Sequence, residues 1–221
     1  MFARPSNQSL FYLSLSILLM LSFFSLADRQ LSLFPENLLH SVELEYGDDA
    51  KERVTRWRDI VSEYQNDSEK EKLYTVNRFF NQLRFVDDNQ VWGQKDYWAT
   101  PVEFLGKNAG DCEDFSIAKY FTLTALGVPK EKLRLMYVQA LSIKQAHMVL
   151  AYFETPDAMP LLLDNLNKRI LPANLRRDLK PVYSFNGDGL WAAKAQGRGK
   201  KLRNTGHGMW ENMLVRIEQG K

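Results

Sequence analysis

The order of apolar and polar positions divides the chain into helical and extended stretches. From Asp49 to Gln65, Val54, Trp57, Ile60 and Val61 recur at three- and four-residue steps, which predicts an amphipathic helix. Asn66-Asp67-Ser68 reads as a turn and N-cap. A second helix follows from Glu69 to Phe85, with Leu73, Val76, Phe79, Phe80 and Leu83 on its apolar side. A third starts near Asp111 or Cys112 and runs to Leu126. Apolar residues occupy much of its surface, so it is expected to be largely buried. Gly127 stands where a C-terminal cap belongs, and Pro129 prevents continuation. The period then changes to that of strands: LRLMYVQAL (133–141), AHMVLAYF (146–153) and LLLDNL (161–166). Thr155-Pro156-Asp157 marks the turn between the last two.

The remaining stretches are weaker. Gln30 to Tyr46 carries a faint apolar pattern. Asp87 to Thr100 is expected to be a loop, and its Trp92, Tyr97 and Trp98 suit a lid, a cleft wall or satellite core packing. Gly106 and Gly110 punctuate a second loop. Leu171 to Pro181 reads as a loop or short helix. Tyr183-Ser184-Phe185 precedes a turn at Asn186-Gly187-Asp188-Gly189. Lys194 to Arg203 is a basic glycine-containing stretch, read as a solvated loop, and Met209 to Glu218 closes the chain as a short helix or strand.

The first 27 residues stand apart. Arg4 is the only charge before Asp28, and Leu10 to Leu26 is apolar apart from scattered serines. Ser25-Leu26-Ala27 supplies small residues for a cut after Ala27, the pattern of a secretory signal. The alternative is an uncleaved anchor, although the stretch is short for a span of about 20 residues. Either way the body, residues 28–221, is expected to be exported and to form a single domain. The composition of the full chain agrees: 221 residues, 45% hydrophobic and 25% charged, with a net charge of +2 that points to no nucleic-acid partner.

Export changes the meaning of the cysteine count. Exported cysteines usually pair, yet Cys112 is alone in the sequence. It is either a small buried hydrophobe or a thiol kept for chemistry. Its position at a helix start favours chemistry, because the partial positive charge and free N–H groups there stabilise a thiolate and a developing oxyanion. A thiol nucleophile needs a base. Of the three histidines, His147 sits within a strand pattern, on the face of Val149 and Ala151. A satisfied structural histidine is the competing reading; His40 and His207 have no partner that the pattern supplies. Asp164 interrupts the apolar run LLLDNL, and a buried carboxylate needs a partner. With the turn centred near Thr155-Pro156, His147 and Asp164 should sit opposite each other on neighbouring antiparallel strands.

GDCEDFSIAKYFTLTALGV, then AHMVLAY, then LLLDNLN, resembles the bacterial transglutaminase-like cysteine proteinases, over roughly Trp98 to Leu190. The resemblance implies an α+β, papain-like or transglutaminase-like core of N-terminal helices and a small antiparallel sheet. It implies Cys112 as nucleophile, His147 as base and Asp164 as orienting acid. It also implies a calcium-dependent periplasmic endopeptidase that cuts the N-terminal region of large surface adhesins and so disperses biofilm. An inner-membrane cyclic di-GMP receptor would sequester it. The family's calcium-associated acids fall on Asp111 and Glu113. Asp114 joins them in crowding negative charge around Cys112, a penalty on the thiolate that a hard cation would relieve. Acids in a first helical turn also serve simply as caps. A transglutaminase or amidase acting on glutamine carboxamides, or a catalytically dead periplasmic adaptor, are the rival expectations.

Overall fold

The computed structural model describes residues 34–192, 197–204 and 208–221. The predicted signal segment and His207 lie outside the described residues, as does part of the basic stretch. No helix among the described residues is long and apolar enough to cross a membrane.

Helices come first in the chain. They are α1 (Leu38–Tyr46), α2 (Asp48–Glu63), α3 (Glu69–Phe80), α4 (Asp88–Val91), α5 (Pro101–Lys107) and α6 (Cys112–Ala125). The predicted helices at 49–65 and 111–126 are present, the latter as α6. The predicted 69–85 helix ends at Phe80, and Arg84–Phe85 (β1) instead pairs in parallel with Ala109–Gly110 (β2). Two expected loops contain helices. One is α4. The other is α5, started by a capping box that the sequence reading passed over: the Thr100 hydroxyl accepts the Glu103 N–H at 3.1 Å, and the Glu103 carboxylate accepts the Thr100 N–H at 2.8 Å.

The sheet is larger than expected. Seven antiparallel strands lie in the order β6-β5-β4-β3-β7-β8-β9. They are β3 (Leu133–Ala140), β4 (Gln145–Tyr152), β5 (Leu161–Leu163), β6 (Leu171–Pro172), β7 (Leu179–Asn186), β8 (Gly189–Ala192) and β9 (Lys201–Arg203). The stretch read as a loop or short helix up to Pro181 therefore already carries the start of β7. Helix α7 (Gly208–Glu218) closes the chain.

Helix α6 is the hub. It packs against β4, α3 and α5. Ile117, Ala118 and Leu123 are fully buried, and Trp57 of α2 donates to the Thr122 hydroxyl at 2.7 Å. The face of the sheet bearing Met136, Val138, Val149, Ala151 and Leu162 forms a second apolar cluster. The aromatics of 92–98 pack rather than form a lid. Trp98 is buried and stacks on Phe185, and Trp92 contacts the Tyr97 ring.

Candidate active site

Strand β5 pairs with β4 only as far as Leu163, opposite Leu150. Beyond that point no strand among the described residues lies beside the edge of β4, and the first turn of α6 meets it instead. Cys112 and Ser116 are four residues apart and share a helix face. The Ser116 hydroxyl donates to the Met148 carbonyl at 3.1 Å, and the Met148 N–H lies against the Cys112 sulfur. The nucleophile candidate is thus seated on the residue next to His147.

His147 is buried, and its Nε2 meets Asp164 Oδ1 at 2.8 Å. The expected pairing is real, but the expected register is not. Extending the β4–β5 ladder sets Asp164 opposite Val149 rather than His147, and Asp164 lies just past the end of β5. It reaches His147 diagonally, from the same face. Burial opposes ionisation of Asp164. The hydrogen bonds and charges of His147 and Arg176 outweigh it and hold the carboxyl at about 2, so the group is an anion at neutral pH.

The acids around Cys112 divide into two roles. Asp114 is fully buried and already engaged: its oxygens accept the Ala99 N–H at 2.8 Å and the Asp111 N–H at 3.3 Å. It braces the turn into α6. Gly110 is required there, since a Cβ on it would stand 2.3 Å from Asp114 Oδ2 and 2.8 Å from the Phe104 ring. Glu113 accepts the Cys112 thiol proton at 2.8 Å. Burial, then the charges of Glu113 and Asp111, push the thiol well above its ordinary range. Burial and its acidic neighbours likewise raise Asp111 to about 10.

One member of this cluster is not adjacent in sequence. Asp88, from α4, is buried among the acids, and single oxygens of Asp88, Asp111 and Asp114 lie within 4.8 Å of one another. So do ligand atoms of Asp111, Cys112 and Glu113. Asp88 uses Oδ2 to accept the Tyr97 N–H at 2.6 Å, while Oδ1 has no partner among the described residues. Asp111 Oδ1 is also buried without a partner among these residues. Two orphaned carboxylate oxygens in an oxygen-only cluster are the donor chemistry of a hard divalent cation. Desolvation, opposed by the Tyr97 N–H and reinforced by nearby acids, raises Asp88 to about 6.

A family model for bacterial transglutaminase-like cysteine proteinases matches residues 46–177, more than half of the chain. The chain belongs to this family. Among solved structures, calcium-bound LapG of Legionella pneumophila is similar at 42% identity. Its TM-score is 0.71, over 81% of this chain and 97% of that one. A second LapG structure from the same organism and an EGTA-treated one each align at 43% identity and TM-score 0.70, over 82% of this chain and 96% of theirs. No curated protein matches. For this transglutaminase-like proteinase the fold expectation is met. Among the residues singled out in the sequence, His147 pairs with Asp164, Cys112 lies against Met148 beside that pair, Asp111 and Glu113 flank the thiol, and Asp114 lies with Asp88 and Asp111. Sequence reasoning missed Asp88 and Arg176. Asp88 gave a faint signal as an acid beside an aromatic loop, and Arg176 gave none.

Proposed function

We propose that this proteinase is a calcium-dependent, periplasmic cysteine endopeptidase. Its substrates are the N-terminal regions of large surface adhesins, whose release disperses biofilm, and an inner-membrane cyclic di-GMP receptor holds it in check. The observation that carries the catalytic part is the buried His147–Asp164 pair next to Met148, whose backbone N–H faces the Cys112 sulfur.

Asp164 occupies Nε2 of the imidazole, which assigns Nδ1 to proton exchange with the thiol. His147 takes the Cys112 proton, and Sγ attacks the peptide carbonyl carbon. A C–S bond forms, and the N–H groups at the start of α6 face the resulting oxyanion. Collapse breaks the C–N bond, and His147 returns its proton to the departing amine. Water, deprotonated by His147, then hydrolyses the thioester and frees the thiol. Asp164 stays ionised throughout and stabilises the imidazolium. Asp88, Asp111 and Glu113 would hold the calcium ion, with Asp114 behind them. When bound, it would neutralise the negative charge that otherwise disfavours the thiolate. The calcium-bound LapG relative supports calcium as the ion.

The test is incubation of the purified protein with adhesin N-terminal fragments in calcium buffer, with products read by mass spectrometry. The wild type is expected to cut, and Cys112→Ala to remain folded and leave the fragments intact. Cleavage by the Ala variant, or amine incorporation in place of hydrolysis, would overturn the reading.

A further inference from the structure

Asp164 lies beyond the last paired residue of β5, so the sheet does not fix it. Its backbone carbonyl is held by Asn81 Nδ2 at 2.8 Å and by Lys119 Nζ at 3.1 Å. On its side chain, Oδ1 accepts the Leu166 N–H at 3.1 Å besides facing His147. Among the described residues Oδ2 is held by one group, Nη2 of Arg176, at 2.7 Å.

Arg176 is itself aimed. Asp178 grips the same edge of the guanidinium, with Nε to Oδ1 at 2.9 Å and Nη2 to Oδ2 at 2.7 Å. The Arg176 side chain is only 2% exposed, and its Nη1 is buried without a partner among the described residues. A packing role would be met by a neutral side chain without that desolvation cost. The Asp178–Arg176 pair is also complete as an ion pair on its own. What the extra hydrogen bond adds is a fixed plane for the Asp164 carboxylate. Asp178 meanwhile offsets the guanidinium charge, so the Asp178–Arg176–Asp164 chain keeps one net negative charge for the imidazolium.

Resting on the proteinase reading above, we propose that Arg176, oriented by Asp178, is a positioning residue of the active site. It clamps Oδ2 of Asp164 so that Oδ1 faces His147 Nε2. Rotation of the carboxylate would weaken that bond and misplace the imidazole, and misplacement on the ångström scale costs up to about 100-fold in rate.

The experiment compares wild type with Arg176→Lys, Arg176→Ala and Asp178→Asn, each verified as folded by near-UV circular dichroism. The first readout is the downfield proton resonance of His147 Nε2–H in labelled protein. The second is the rate at which iodoacetamide alkylates Cys112, the sole thiol, in calcium buffer at one neutral pH. Arg176→Ala is expected to lose the resonance and to slow alkylation by roughly 10- to 100-fold. Arg176→Lys restores the charge but not the fork, and should recover only part of the rate; Asp178→Asn should fall between it and wild type. If Arg176→Ala does not fold, the other two variants decide. Wild-type resonance and rate in both Arg176→Lys and Asp178→Asn would overturn the inference, even if adhesin fragments are still cut. If wild type cuts nothing, the proteinase reading fails on its own, and loss of the resonance in the variants still assigns the positioning role.

Discussion

Replacing Asp164 by asparagine separates its charge from its shape. In the native structure the carboxyl titrates at about 2 rather than its ordinary 3.8. The folded-state value is depressed, so the ionised group stabilises the fold above the unfolded value and loses that contribution as pH falls toward 2. At roughly 1.4 kcal/mol per pKa unit, the linked stabilisation is about 2 kcal/mol at pH 7 and about half of that at pH 3. Asparagine removes it. It also presents a single carbonyl oxygen to three donors, His147, Arg176 and the Leu166 N–H, which adds about 1–3 kcal/mol that does not depend on the carboxyl's titration. The expected loss is therefore about 3–5 kcal/mol at pH 7, narrowing by about 1 kcal/mol at pH 3. Urea titrations of wild type and Asp164→Asn at the two pH values, at equal ionic strength, measure it. A gap below 1 kcal/mol at pH 7, or a gap that does not narrow in acid, would refute the reasoning.

Two further predictions concern the acidic side of the site. Calcium is expected to raise the melting temperature of the wild type and EGTA to reverse the rise, whereas Asp88→Asn, which removes an oxygen left unpartnered in the cluster, should blunt the response. An unchanged response in that variant would exclude Asp88 from the ligand set. Gly110→Ala forces a Cβ to 2.3 Å from Asp114 Oδ2, and should cost about 1–3 kcal/mol, a drop of several degrees in melting temperature. Gly187→Ala has nothing within 4 Å and serves as the neutral control.

The sequence by itself determined the parts whose physics is local. Capping and burial periodicity placed Cys112 at the start of a buried helix. Period-two alternation placed His147 on a strand, and a carboxylate inside LLLDNL marked Asp164 as a group in need of a partner. Three flanking acids announced a cation or a cap. The tertiary structure decided the rest, because it depends on which chain segments close upon one another. The early end of β5 let α6 seat Cys112 and Ser116 on the free edge of β4, and moved Asp164 from a direct to a diagonal approach to His147. The fold of the 87–100 segment carried Asp88 to the acids around the thiol, and the return of the chain through Arg176 supplied the second hold on Asp164. Neither residue lies within a helical turn or a strand pair of the group it serves, so no periodicity could announce them.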